Sequence, residues 1–313
     1  MAHLDLNSMT QFLSKSISSI NQNKINGMLA EIDLRRTLIQ MGFSGRVSQG
    51  GWILRNQGAG VFGHHTIVLF PETITPNQNY STNFSPPPSG LHTICATMHQ
   101  IGVHSFYCVP NIAVNNDTNS VDWHTTQLGI PTPQPYTPLL GTIQGFTPRI
   151  RKHNFLTYKT NASGIPSSSL AEEFTKEHIR VVFRTRYLAE ISDIDGIFWG
   201  QQYTYPIEIK EKTAATDKDL GEYFGLDAGP FVKLAFYAAK KGNLHSLFFV
   251  REIDNIQDRQ LIQWWFITFD KLAQFASWVI RGGGTNMGGG RSSVVRIPKA
   301  EFTPLTTAAL NNL

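Results

Sequence analysis

The run from Tyr203 to Glu211 restricts this chain more than any other stretch, because its apolar and charged side chains alternate. As a β-strand it places Tyr205, Ile207 and Ile209 on one face and Glu208 and Lys210 on the other. Its neighbours extend the pattern. Asp195–Trp199 is a short strand, apolar after its first residue, and GQQ at 200–202 supplies the turn between the two. Arg180–Ala189, rich in β-branched and aromatic residues, is a third strand candidate ahead of them. Helices are expected at DKDLGEYFGL (217–226) and PFVKLAFYAAKKG (230–242), the second closed by Gly242. A strand at His245–Arg251, another at Gln263–Thr268 and an amphipathic helix at Asp270–Ile280 complete the series. A meander followed by a crossover helix makes a mixed central sheet flanked by helices, an α/β (α+β) fold.

Upstream, KINGMLAEIDLRRTLIQMGF predicts a helix over 24–42, with Met28, Leu29, Ile32, Leu38, Ile39 and Met41 as its apolar stripe and Gly42 as its stop. Residues 46–165 are rich in Gly, Pro, Asn, Thr and Ser, with short β-like runs at Thr66–Phe70 and Val103–Val109. They read as a loop-rich β insertion between a helical part at 1–45 and a larger part at 166–313. Ser169 is placed to cap a short helix, LAEEFTKEHI, with Glu172 close behind. The tail GGGTNMGGG at 282–290 follows a helix and has no Lys-Ser/Thr after it, so a mobile loop is expected there rather than a phosphate loop.

The chemistry concentrates at Asp195, Glu208 and Lys210. Asp195 opens the strand before the turn, and the hairpin brings it beside Glu208. Two carboxylates meeting at a sheet position make a hard-oxygen site suited to Mg²⁺, which keeps waters and phosphate oxygens as its other ligands. A lysine two residues from one ligand orients or deprotonates an attacking water and stabilises a pentavalent phosphate. Asp193 competes with Asp195 for the ligand role. The apolar run Ile197-Phe198-Trp199 favours Asp195, as the start of a strand entering the core, and Glu190 is a weaker candidate again.

Asp195 in SDIDGIFW and Glu208-x-Lys210 in YPIEIKEK resemble the PD-(D/E)xK nuclease superfamily, to which many type II restriction endonucleases belong. The order helix, three strands, helix, strand is similar too, over about 24–42 and 178–251. The resemblance implies a restriction-endonuclease-like core, Mg²⁺ as cofactor, double-stranded DNA as substrate, and Glu31 on the first helix as an added metal ligand. Ile194 stands where the motif's proline would be. The resemblance does not account for the insertion or the tail.

Charge gives weaker guidance. A net charge of +4 leans toward an anionic partner, and Arg149, Arg151, Lys152 and Lys212 are candidate DNA contacts. His92, Cys95, His99, His104 and Cys108 lie close together but match no zinc spacing, and cysteines in apolar runs are more often packing residues. Two cysteines, no apparent secretory signal and no long apolar run suggest a reducing, cytoplasmic setting without a membrane span. The favoured function is a type II restriction endonuclease, with 46–165 as the base-reading region and a homodimer expected by analogy. A structure-directed repair, recombination or phage nuclease is the alternative. A non-enzymatic DNA- or protein-binding module, with Glu208 and Lys210 as a mere ion pair, is the second.

Overall fold

The computed structural model describes residues 2–313 apart from 17–21, 49, 56–65, 101, 133, 143–169, 173, 177, 180–189, 240–243 and 288–289. The third strand candidate at 180–189 and the capping positions Ser169 and Gly242 lie outside the described residues. Two helices, α1 (Leu6–Ser16) and α2 (Gln22–Gln40), and a two-residue strand, β1 (Val47–Ser48), open the chain. Two compact units follow from the contacts: Met1–Leu29 with Gly50–Asp193, and Ala30–Gln49 with Ile194–Leu313.

The first unit holds β2 (Gly51–Arg55), β3 (Thr66–Pro71), α3 (Ser89–Gln100), β4 (Val103–Ile112), β5 (Val121–Leu128), β6 (Thr137–Pro138), α4 (Leu139–Thr142) and β7 (Glu190–Ile194). They form one six-stranded sheet in the order β6-β5-β4-β3-β2-β7, with β3 and β4 parallel. A parallel pair needs a crossover, and α3 provides it. That helix was not anticipated from the sequence, where 46–165 reads as a loop-rich β insertion. Its apolar stripe is nonetheless regular, since Leu91, Ile94, Cys95 and Met98 are all buried. Gly129, at φ +74°, passes so close to α3 that a Cβ there would meet the Cys95 carbonyl oxygen at 2.6 Å. The core gathers Leu4, Met9 and Leu13 with Trp52, Leu69, Trp123 and Phe174.

The second unit holds β8 (Gly196–Trp199), β9 (Thr204–Lys212), β10 (Ala215–Asp217), β11 (Gly221–Asp227), α5 (Ala228–Ala238), β12 (Leu247–Ile253), β13 (Leu261–Thr268), α6 (Phe269–Phe275), β14 (Ser277–Met287), β15 (Gly290–Pro298), β16 (Thr303–Pro304) and α7 (Thr307–Asn311). Its main sheet runs β1-β8-β9-β12-β13-β16, and its smaller sheet β10-β11-β15-β14. In the main sheet β9 and β12 are parallel and their other partners antiparallel, so the mixed sheet expected from the sequence is present. Alternation along β9 sorts its two faces. Tyr205, Ile207 and Ile209 pack with Phe198, Leu247, Phe249 and the α2 residues Ala30, Leu34 and Leu38. Glu208 and Lys210 share the other face with their register partners Phe248 and Val250, over which Phe224, Leu226, Leu234, Val295 and Ile297 close.

Several expectations are corrected. The buried stripe of α2 is Ala30, Leu34 and Leu38, while Ile39 is exposed. The helix ends as expected, however: Gly42 takes φ +90°, and Phe43 N–H donates to the Leu38 carbonyl while Gly42 N–H donates to that of Ile39. DKDLGEYFGL is not a helix but the β10–β11 hairpin, turned at 218–220 with Gly221 at φ +67°. The i, i+3, i+4 spacing of Leu220, Tyr223 and Phe224 mimics a helix, but Phe224 and Leu226 are the residues buried, at a strand's period of two. The helix at 270–280 stops at Phe275, and the glycine-rich tail is not an isolated loop: Ser277–Met287 pairs with Gly290–Pro298 as β14 and β15.

Candidate active site

The β8–β9 hairpin builds the site. Gly196 faces Ile207 across it, so one step further Asp195 comes opposite Glu208, and opposed residues of an antiparallel pair project to the same face. Asp195 Oδ2 accepts a 2.7 Å hydrogen bond from Ile209 N–H, the amide between Glu208 and Lys210. Both carboxylates are buried, Asp195 at 7% exposure and Glu208 at 2%. Lys210 Nζ lies 2.6 Å from Glu208 Oε1 and keeps 32% of its side chain exposed. Asp195, Glu208 and Lys210 therefore converge, as their spacing predicts.

Sequence reasoning missed Lys233. It comes from α5, the helix between the parallel strands β9 and β12, and its ammonium group pairs with Glu208 Oε2. Leu234 beside it is buried in the core under the smaller sheet, which holds α5 against this face of the main sheet. The signal was a cation inside the apolar run PFVKLAFYAA, next to Leu234 and one turn before Tyr237, both of them buried.

The charges decide what each group can do. Burial alone disfavours the Lys210 ammonium, but Glu208 and then Asp195 outweigh it, so its pKa is held above the usual lysine value. Lys210 thus stays protonated through the physiological range. As placed here it donates hydrogen bonds and stabilises negative charge, rather than accepting a proton from water. Two residues on, burial pushes Lys212 down, with Asp227 opposing and Lys210 adding to the fall. Glu208 between two ammonium groups is a buried ion cluster, a type of arrangement whose desolvation offsets much of its Coulombic gain.

Glu31 sits half-buried on the part of α2 that belongs to this unit. Its helix packs against the Ile207/Ile209 face, whereas Glu208 and Lys210 project from the other, and the ion partners described for Glu208 come from β9 and α5. Asp33, on the same helix, binds Arg251 Nε at 2.9 Å. Asp193 and Glu190 fall in β7, and their side chains are outside the described residues, as are Arg149, Arg151 and Lys152 entirely. Among the described residues no group of three or more His, Cys, Asp or Glu side chains could hold a metal ion. The residues that would hold a cation at this site are Asp195 and Glu208. Two hard carboxylates suit Mg²⁺, which takes few protein ligands and keeps its waters, and the two lysines now balance the charge that such an ion would balance.

The His/Cys cluster of the first unit is engaged otherwise. Burial pushes the Cys95 thiol up to about 12 and the Cys108 thiol up as well. His92 Nδ1 accepts from Gly129 N–H at 3.3 Å, and Gln127 Nε2 lies 3.4 Å from His99 Nδ1 and 3.2 Å from His104 Nδ1. No family model, no curated protein and no solved structure matches the chain. No described helix is long and apolar enough to cross a membrane.

Proposed function

We propose that the chain is a Mg²⁺-dependent endodeoxyribonuclease that hydrolyses phosphodiester bonds of double-stranded DNA, in the manner of type II restriction endonucleases. One observation carries the reading: Asp195, just ahead of β8, has its buried carboxylate tied to the amide between Glu208 and Lys210 of β9. The parallel pairing of β9 with β12 supports it in part: α5 lies on the connection between them, as the motif implies, although the β10–β11 hairpin is added ahead of that helix.

In this reading Asp195 and Glu208 hold Mg²⁺, which supplies Lewis-acid activation of the phosphate and of a water when bound. Lys210, kept as an ammonium, donates to the scissile phosphate and stabilises the charge that grows on it. Lys233 holds the Glu208 carboxylate in place until DNA arrives. The first unit, which contains most of residues 46–165, reads base edges, and a homodimer would match a palindromic site. Incubation of supercoiled plasmid with Mg²⁺ tests the reading. Discrete bands support a sequence-specific endonuclease, and branched-substrate cutting would move it to the structure-directed class. No cutting by protein that still binds DNA would overturn the enzyme reading.

A second reading also has an observation behind it. Both oxygens of Glu208 already meet lysines, which is how a purely structural ion cluster would look in a non-enzymatic DNA-binding module. Cutting by the wild type that Glu208→Gln abolishes supports the catalytic cluster, and a wild type that binds DNA without cutting, with Glu208→Gln lowering only its melting temperature, supports the structural one.

A further inference from the structure

The turn from α3 into β4 brings two histidines to one point. Gly102, at φ +77°, turns the chain out of the helix, and its N–H donates to the His99 carbonyl. β4 starts directly after it, so His99 in the last turn of α3 and His104 near the start of β4 become neighbours. Their rings lie 5.5 Å apart between centroids, at 69°. The residues flanking them pin the turn: Ser105 Oγ donates to Met98 Sδ at 3.6 Å, and both side chains are wholly buried. Gln127 arrives from β5. Its register partner is Phe106, two residues beyond His104 and on the same face of the sheet.

Gln127 Nε2 lies 3.2 Å from His104 Nδ1 and 3.4 Å from His99 Nδ1. An amide nitrogen only donates, so both ring nitrogens turn their lone pairs toward it. Neither distance suits a strong hydrogen bond, which for an N–H donor centres on about 2.9–3.0 Å. Both suit the edge of a metal-ligand tetrahedron. With ligand bonds of about 2.0–2.1 Å, such ligands stand about 3.3–3.4 Å from one another. Rotating the amide by half a turn puts Oε1 where Nε2 stands and completes a set of lone pairs, two on nitrogen and one on oxygen.

The interval of four residues between His99 and His104 falls within the histidine spacing of zinc sites, although the wider His/Cys set does not. The last turn of α3 carries the negative end of the helix dipole, which favours a cation beside His99. All three residues are half-buried, so an ion can reach them from solvent. Imidazole nitrogen selects Zn²⁺ and its transition-metal neighbours over Mg²⁺, which prefers oxygen.

We infer that His99 Nδ1, His104 Nδ1 and Gln127 Oε1 form a binding site for a transition-metal dication, Zn²⁺ foremost, with water in the fourth position. The bound ion staples α3, β4 and β5 of the first unit, which is not the unit that carries Glu208 and Lys210. The test is calorimetric titration of untagged, EDTA-treated protein with Zn²⁺ in excess Mg²⁺, which competes for sites made of oxygen alone. One Zn²⁺ should bind per chain, and Co²⁺ in its place should give the strong visible absorption of tetrahedral coordination. His99→Ala and His104→Ala should each weaken Zn²⁺ binding at least about tenfold, no less than the loss of a supporting residue behind a ligand costs. Gln127→Glu keeps the reach of the side chain and adds a charged oxygen ligand, so it should tighten binding about tenfold. His92→Ala, two turns back on α3, should leave it unchanged.

A folded wild type that binds no Zn²⁺ in this titration would overturn the site. So would binding that His99→Ala and His104→Ala leave at wild-type strength, with melting curves showing both variants folded. If those two fail to fold, Gln127→Glu decides, and an affinity equal to that of the wild type overturns the site as well. A plasmid that is cut or left intact says nothing for or against this ion, so the nuclease reading and the metal site stand or fall separately.

Discussion

The two units bury polar groups in opposite ways. Among the described residues, the buried polar side chains of the first unit are Ser105, Thr125, Thr126, Thr175 and His178. His178 is kept neutral: burial lowers its pKa, Nδ1 accepts from Trp123 Nε1–H at 3.1 Å, and Nε2 lies 2.8 Å from the Thr118 carbonyl. The three buried carboxylates, Asp195, Glu208 and Glu252, all belong to the second unit. Glu252 is spent on structure, accepting from Trp265 Nε1–H at 2.7 Å while Lys299 pairs with its other oxygen. Neutral satisfied groups serve a scaffold. Buried charges drawn together are expensive to hold, and a site for chemistry is the usual reason to keep them.

The contrast can be broken most sharply at Glu208. Glu208→Gln and Lys210→Ala should each slow plasmid cutting by about 10²–10⁴ or more, while a gel shift in Ca²⁺ persists. Near wild-type cutting by either would place the active site elsewhere. Next in size is Phe174→Ala in the wholly buried core of the first unit, expected to cost about 3–5 kcal/mol in a denaturant titration. A cost under 1 kcal/mol would show that this core is not a rigid scaffold. A smaller effect is expected from Lys233→Met, which removes a cation competing for Glu208. Half-saturation by Mg²⁺ should fall roughly tenfold, read both in cutting and by direct metal titration, as Coulomb's law at a few ångströms suggests. Unchanged metal affinity would assign Lys233 to packing.

The smallest effect concerns pH and sharpens the comparison from the scaffold side. Because the folded pKa of His178 lies below its unfolded value near 6.5, the unfolded chain binds more protons in acid. The stability that neutral His178 contributes is complete above pH 6.5 and declines as pH falls from there toward the folded pKa. The melting temperature of wild-type protein should drop over that window, and His178→Gln should flatten the drop. An identical slope in the variant would show that other groups set it.

Local periodicity made the centre of the site legible. Alternation in TYPIEIKEK placed Glu208 and Lys210 on one face, and a short hairpin left Asp195 only one neighbour to oppose. What escaped was non-local. The pairing of β1 with β8 depends on a contact between Val47 and Phe198, which no window of sequence reveals. Lys233 became part of the site because a crossover helix lies over the sheet; its apolar neighbours mark it as unusual but do not say which carboxylate it meets. Leu220, Tyr223 and Phe224 carried a helical spacing that tertiary pairing with β15 overrode. The glycines of 282–290 signalled freedom of the backbone, and a glycine-rich run can serve as ribbon as well as loop when its partner strand follows directly.

The pairing of Val47 with Phe198 also sets a timetable. At about 5–20 residues per second of synthesis, β1 leaves the ribosome on the order of 10–30 s before the strand it must join. Through that interval it waits with α2 while Gly50–Asp193, the whole intervening part of the first unit, emerges between them. A fragment starting at Ile194 would lack both pieces, so the second unit cannot be recovered by simple truncation. A circular permutant that begins at Ile194 and joins Leu313 to Ala30 through a linker, stopping at Gln49, would make it contiguous, and should gather its sheet without the delay.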